Sequence, residues 1–384
     1  MLITLAEKLR LEYIPTHNPQ PATRTIEMTA LCDHDISSLS DELAQLGHNP
    51  IHAPRLLREY YGTGGRPAIE RMPIARRLRE DLQRPQRLMR STILSRRESS
   101  DGTVKLLIGL RDGHSVEAVL MSSHRADRSA GCVSSQVGCA MGCDFCASTR
   151  SGLARDLDAS EIVEQFLHLR NESLRQHRRL VSLVFMGMGE PMHNLDAVIP
   201  AIRRIADPLM GALGWRHVTV STVGIVPGID RLADADLGVH LAVSLHAPDD
   251  ATRQRLVPTA KRYRVADILD AAKRYQARSG RITTIEYCLL AGVNDSPAQA
   301  KQLADLLRGF RAHVNLIPHN SIGAGLSGIE YARPSAEVTQ RFARIVSENG
   351  AVVHVRRARG DDVNAACGQL REQYVQLEPK VLEV

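Results

Sequence analysis

Three cysteines spaced Cys139-x3-Cys143-x2-Cys146 constrain this chain more than any other feature, because thiols so close on one loop oblige the fold to gather them around something. Only seven cysteines occur in 384 residues, and four of them lie between positions 132 and 146. A disulfide framework fits poorly, since the count is odd and a chain of this length buries enough apolar surface to stand without staples. A structural zinc site usually takes four ligands, often as two cysteine pairs, and no second pair follows downstream. Three thiolates suit three irons of a [4Fe–4S] cube and leave the fourth iron open. A small molecule carrying an amine and a carboxylate, such as S-adenosylmethionine (SAM), can bind there and receive an electron.

With 43% hydrophobic residues the chain can form one large domain with an appendage. No run approaches the roughly 18 to 20 apolar residues of a membrane span. The start, Met1-Leu2-Ile3-Thr4-Leu5-Ala6-Glu7-Lys8, acquires charge too early for a signal peptide, so a cytoplasmic protein with reduced thiols is expected. The net charge of +6 points weakly to a polyanionic partner. Arg71, Arg76, Arg77, Arg79, Arg84, Arg87, Arg90, Arg96 and Arg97 crowd into one stretch; the plainer alternative is a solvated helical face balanced by Glu80, Asp81 and Glu98.

Residues 1–35 carry scattered Pro, Thr and His without periodicity and are expected to form an irregular extension. Residues 36–98 are expected to form a small helical accessory domain, with helices over Ile36–Leu43, Ala53–Tyr61 and Ile74–Leu82. Residues 99–130 form a connector in which 105–110, the turn 111–114 and 115–121 predict a β-hairpin. From 131 to 373 β-branched runs (181–186, 217–222, 239–245, 282–290, 314–318, 352–356) alternate with helical patterns (159–178, 194–206, 228–235, 265–278, 297–308, 335–348), and 374–384 is a tail. This alternation predicts an α/β fold with parallel strands, either a barrel or an open sheet, and a ligand site at the carboxyl ends of the strands.

Polar and glycine residues stand at those ends: Met186-Gly187-Met188-Gly189-Glu190-Pro191, Ser221-Thr222-Val223-Gly224 and Ser244-Leu245-His246-Ala247. Glycines let backbone approach a ligand closely, and Glu190 can accept hydrogen bonds from an ammonium group. Each has a plainer alternative, Glu190 as a helix cap and Ser244 or His246 as satisfied polar residues at a strand end. Cys32 and Cys288 have no motif around them and are expected to be structural, Cys288 within a buried strand.

The segments Cys132–Cys139, Met186–Pro191, Ser244–Ala247 and Arg359-Gly360-Asp361-Asp362-Val363-Asn364-Ala365-Ala366-Cys367-Gly368-Gln369-Leu370 resemble the RlmN/Cfr family, radical SAM enzymes that methylate adenine carbons in RNA. The resemblance spans about residues 36–373. It implies a partial (βα)6 TIM-like barrel behind the accessory domain and hairpin. It also implies one [4Fe–4S] cluster on Cys139, Cys143 and Cys146, and SAM surrounded by Gly189, Glu190, Ser221, Ser244, Leu245, His246 and Asn320. Cys367 matches the methyl-carrying cysteine, Cys132 its partner thiol and Glu117 the proton acceptor. Two SAM molecules would be used per methylation. One gives its methyl to Cys367, and the second, cleaved reductively, yields the radical that activates this methyl for addition to adenine. Attack of Cys132 on Cys367 then frees the RNA and leaves a disulfide. The arginines Arg356, Arg357 and Arg359 suggest an accessible Cys367 thiol with a lowered pKa.

Two segments depart from the family pattern: Pro318–Tyr331 lacks the proline- and aromatic-rich character expected there, and Gly47-His48-Asn49-Pro50 replaces a basic entry to a helix. The expected partners are ribosomal RNA, transfer RNA or both, and a flavodoxin or ferredoxin as electron donor, with a monomer as the default state and no membrane. Carbon 2 of adenine is favoured over carbon 8. The competing class is a divergent radical SAM enzyme on another substrate, or a cluster-bearing RNA-binding regulator without turnover; Cys132, Glu117 and Cys367 together discriminate, because a cluster-only binder has no use for a methyl shuttle.

Overall fold

A computed structural model of the chain describes residues 28–84, 87–123 and 125–370. The amino-terminal helices are α1 (Ile36–Gln45), α2 (Ala53–Gly62) and α3 (Arg76–Leu82). Asp35 caps α1 by accepting from the Ser38 amide at 2.8 Å, while the Ser38 hydroxyl accepts from the Asp35 amide at 3.0 Å. Their apolar faces, Leu39 and Leu43, Leu56 and Leu57, Leu78 and Leu82, are fully buried.

Strands β1 (Thr92–Glu98), β2 (Val104–Gly109), β3 (Ser115–Ser122) and β4 (Arg128–Cys132) form an antiparallel meander. A two-stranded ribbon, β5 (Gln136–Gly138) and β6 (Leu153–Asp156), brackets the cysteine loop. Six βα units follow from β4 onward: α4 (Ala159–Arg175), β7 (Arg179–Phe185), α5 (Leu195–Ala206), β8 (Val218–Thr222), α6 (Val226–Asp234), β9 (His240–Ser244), α7 (Asp250–Leu256), α8 (Val265–Ser279), β10 (Thr283–Leu289), α9 (Pro297–Leu306), β11 (Ala312–Pro318), α10 (Ala336–Glu348) and β12 (Val352–Val355). The sheet order is β1-β2-β3-β4-β7-β8-β9-β10-β11-β12, with every neighbour pair from β4 onward parallel. The two end strands do not pair with each other, so the fold is a partial barrel whose first edge is covered by the hairpin strands. Among the described residues no helix is long and apolar enough to cross a membrane.

Three differences from the sequence-based expectation have physical causes. Thr92–Glu98, expected within the helical domain, is an edge strand, and Arg96 there reaches buried Glu172 of α4 at 2.7 Å. Part of the arginine cluster is therefore spent on internal ion pairing. Helix α7 has no apolar stripe; it starts on the Asp249 cap and turns Arg253 into the core. Within the expected extension 1–35, Leu31–Asp33 form a 3-10 turn in which Leu31 and Cys32 are fully buried, and the Cys32 thiol donates to Glu164 Oε1 at 3.2 Å. The rest of that extension, residues 1–27, and the tail 374–384 lie outside the described residues.

Buried His168 on α4 shares a 2.9 Å hydrogen bond with Ser91 Oγ and is pushed down to about 4, by burial first and by the charge of Arg66 second. In the unfolded chain it returns to its ordinary value of 6.5, so as pH falls the unfolded state takes up a proton first. Stability is then lost between pH 6.5 and about 4, by about 3 kcal/mol in full from this group. His168→Gln is expected to shrink the stability difference between pH 7 and pH 4.5 in urea titrations; an unchanged difference would show that His168 is not the acid-labile group.

Candidate active site

The cysteine loop is built by backbone that only glycine tolerates easily. Gly138 has φ +76°, and a β-carbon there would lie 2.0 Å from the Gly152 carbonyl oxygen, which already accepts from the Cys139 amide at 2.7 Å. Cys146 closes the turn by donating its amide to the Cys143 carbonyl at 3.0 Å, and Thr149 Oγ1 donates to both the Cys143 and Cys146 carbonyls. Asp144 pins the loop from outside, accepting from Tyr331 Oη at 2.6 Å and the Ser327 amide at 2.7 Å.

Cys139, Cys143 and Cys146 line one cavity at the carboxyl ends of the parallel strands. Burial pushes all three thiols up, Cys139 to about 12, and the charges of Cys139 and Cys146 push Cys143 further. As bare thiols they keep their protons, and a bound metal centre is what would hold them as thiolates. An all-sulfur donor set of three on a glycine-turned loop, with Glu190 beside it, fits a cluster with one iron left for an external ligand.

Gly189, at φ +100°, lies so close to Gln136 that a β-carbon would stand 2.6 Å from the Gln136 Cβ. Gln136 in turn accepts from the Glu190 amide at 2.8 Å. The buried Glu190 carboxylate accepts from the Met192 and Val223 amides at 3.0 and 2.8 Å, so it caps the 3-10 turn Pro191–His193 and lines the cavity at once. Burial outweighs those two donors and pushes it up to about 7; an ammonium beside it would draw it back to the charged form. Ser221 and Ser244 join by a 3.2 Å hydroxyl contact. His246, at φ +61°, accepts from the Cys288 amide at 3.0 Å, meets the Phe145 ring edge-on at 4.8 Å, and is held neutral by burial, at about 3. These residues line the cavity; Leu245 instead sits in the core with its amide on the Glu286 carbonyl.

Cys367 is exposed at the mouth of the same cavity. Its loop is tied to the cysteine loop, the Ala147 amide donating to Gly368 O at 2.7 Å and Ser148 Oγ to Leu370 O at 2.6 Å, and Asn320 Nδ2 donates to the Cys367 carbonyl at 3.3 Å. The expected lowering of its pKa is overturned: burial of the sulfur against the cavity wall raises it, and Glu286 and Cys146 add to the rise that Arg356 opposes. Cys132, at the end of β4, is buried and pushed up to about 12, by burial first and by Cys367 second. All seven cysteines are free thiols. Glu117 on β3 is buried in a 2.8 Å ion pair with Lys105; neither it nor Cys132 lines the cavity.

Sequence reasoning missed Glu286, Cys288, His319 and Arg253. Glu286 keeps Oε1 on Asn315 at 2.9 Å while its buried Oε2 has no partner, and burial raises its pKa. A charged residue inside the apolar run Thr283–Leu289 was the available signal. Cys288, expected to be structural, and His319, whose buried Nε2 has no partner, line the same wall. Arg253 donates to the Leu245 and Val223 carbonyls, tying two strand ends together beneath the cysteines.

Residues 133–304 match the model of the Radical SAM superfamily. The chain is 53% identical over 342 residues, 89% of its own length and 96% of the relative's, to a probable dual-specificity RNA methyltransferase RlmN 1 of Opitutus terrae. It is 40% identical to a dual-specificity RNA methyltransferase RlmN of Syntrophobacter fumaroxidans, covering 91% of this chain and all of that one. A crystal structure of a radical SAM methyltransferase from Sphaerobacter thermophilus superposes with a TM-score of 0.83 at 41% identity, over 89% of this chain and 99% of that one. With its three-cysteine loop and partial barrel matched along nearly the whole length of these proteins, the chain belongs to the RlmN family of radical SAM RNA methyltransferases.

Proposed function

We propose that this protein methylates carbon 2 of adenine in ribosomal RNA, transfer RNA or both, through a methyl group carried on Cys367, with two SAM molecules per methylation. The observation that carries the proposal is the placement of Cys367, a free thiol at the mouth of the cavity lined by Cys139, Cys143 and Cys146 and held to that loop by backbone hydrogen bonds. The relatives' dual specificity supports two RNA substrates. A cluster on the three cysteines would supply the electron that cleaves the second SAM, drawn from a flavodoxin or ferredoxin.

The chain's own groups divide the remaining work. Gly189, Glu190, Ser221, Ser244, His246 and Asn320 orient the cosubstrate, Glu190 taking its ammonium. The Cys367 sulfur, once it has given up its proton, attacks the methyl carbon of the first SAM; the S–CH3 bond forms as the methyl–sulfonium bond breaks and S-adenosylhomocysteine leaves, so Cys367 becomes a thioether. The methyl of Cys367 would lose a hydrogen atom to the 5′-deoxyadenosyl radical of the second SAM and add to the ring as a methylene carbon, the surplus electron would return to the oxidised cluster, and Glu117 would take the ring proton. Cys132 then attacks the Cys367 sulfur. The S–S bond forms as the S–CH2 bond breaks, and the bonding pair goes to the methylene carbon, which picks up a proton to become methyl.

Anaerobic reconstitution, incubation with methyl-deuterated SAM, reductant and total RNA, and nucleoside mass spectrometry test this. Label in 2-methyladenosine is expected. Label in 8-methyladenosine moves the target carbon, and no labelled adenosine despite SAM cleavage sinks the assignment in favour of another substrate.

A further inference from the structure

Lys105 is a buried ammonium at the second position of β2. A lone buried charge is costly, and the fold satisfies this one from two sides. Its Nζ lies 2.8 Å from Glu117 Oε1 on the adjacent strand and donates to the Asn364 carbonyl, three residues before Cys367, at 3.1 Å. The same hairpin grips this loop twice more. Asp101 Oδ2 accepts from the Gly360 amide at 3.1 Å, and the Ser100 amide donates to Asp362 Oδ2 at 3.1 Å. The surfaces fit closely: a β-carbon on Gly360 would come within 2.8 Å of Ala365 Cβ and 2.9 Å of Thr103 Cγ2.

Docking alone does not need a buried charge, since the Asp101 and Ser100 contacts already attach the loop at its rim. Lys105 differs because one ammonium spans two groups with different tasks. We infer that Lys105 is a positioning residue that sets the Glu117 carboxylate and the Cys367 loop at a fixed separation, keeping proton acceptance and methyl delivery in register. This rests on Glu117 as proton acceptor and Cys367 as carrier. Its ammonium has donors for both contacts at once. When Glu117 takes the ring proton and loses its charge, the hydrogen bond to the Asn364 carbonyl remains, so the loop stays seated while Cys132 attacks.

The test uses the full-length, cluster-loaded enzyme carrying Lys105→Met, with Asp101→Ala for comparison. Two quantities are read: amide exchange in a peptide covering 359–370 without RNA, and the ratio of crosslinked to released RNA after one turnover. The ratio does not depend on how much of the protein is folded. For Lys105→Met, exchange around Asn364 is expected to rise about tenfold and the crosslinked-to-released ratio about a hundredfold, the scale of a displaced base. Asp101→Ala is expected to raise exchange and leave the ratio near the wild-type value. A wild-type ratio in Lys105→Met overturns the inference, as does unchanged exchange. Should Lys105→Met fail to fold, Lys105→Gln, which keeps a donor for the carbonyl but drops the charge, is judged by the same ratio. If Cys132→Ala, in which the adduct has no thiol to resolve it, forms no crosslink at all, the carrier reading itself fails; the exchange measurement then still shows whether the loop is latched.

Discussion

Gly138→Ala is expected to strip the protein of its iron–sulfur cluster while leaving every ligating cysteine in place. At φ +76° an L-residue is strained, but the larger cost is steric, since the new methyl would meet the Gly152 carbonyl oxygen at 2.0 Å. The atom in the way is backbone, and it holds the Cys139 amide at 2.7 Å, so relieving the clash moves Cys139 itself, the first of the three proposed ligands. Gly152→Ala is the internal control: it shares the left-handed backbone, φ +70°, with nothing within 4 Å of the added carbon. Iron and sulfide content with the visible spectrum after anaerobic reconstitution decides the matter. Gly152→Ala should hold about four irons per chain, as expected of a single cube, whereas Gly138→Ala should hold almost none with the same far-ultraviolet circular dichroism. Full iron content in Gly138→Ala would falsify the steric account of the loop.

The second large effect separates the roles proposed for two cysteines. Cys132→Ala is expected to accumulate a covalent protein–RNA adduct and release no methylated RNA, because nothing remains to attack the Cys367 sulfur. Cys367→Ala is expected to give no adduct and no methyl on the protein, and the double variant should behave as Cys367→Ala. Their placement supports this order of events. Cys132 is buried at the end of β4 and outside the cavity lining, within electrostatic reach of Cys367, whose charge raises its pKa, so an attack on the carrier would come from a side that does not face the cosubstrate. Denaturing gels with labelled RNA and intact-protein mass spectrometry read both variants. An adduct in Cys367→Ala would move the carrier elsewhere, and free methylated RNA from Cys132→Ala at the wild-type rate would show that another group resolves the adduct.

The parallel strands were legible because β-branched runs such as Val218–Thr222 and Val239–Leu245 alternate with capped helices, and because a one-sided apolar stripe is enough to specify each helix. The polar strand ends were legible for the same reason: a serine or glycine closing an apolar run breaks the pattern. Where long-range pairing replaces local pattern, the signal fails. Strand β1 shows no apolar alternation, and its Arg96 answers to Glu172, 76 positions away. Helix α7 buries an arginine where pattern reading looks for leucine. The Cys367 thiol was misjudged because neighbouring arginines are visible in sequence, whereas the burial and the Glu286 charge that outweigh Arg356 come from the folded cavity.

The two hydrogen bonds from Ala147 and Ser148 to the backbone of Gly368 and Leu370 make the three-cysteine loop a mooring for the arm that carries Cys367. If oxygen that dismantles a cluster on this loop also unfolds it, the line on the arm would slip with it, and inactivation would come with a physical trace. Air-damaged enzyme should become sensitive to limited proteolysis after Arg356, Arg357 or Arg359 in step with its loss of iron, a fuse that reports its own failure at a distance from the burned metal.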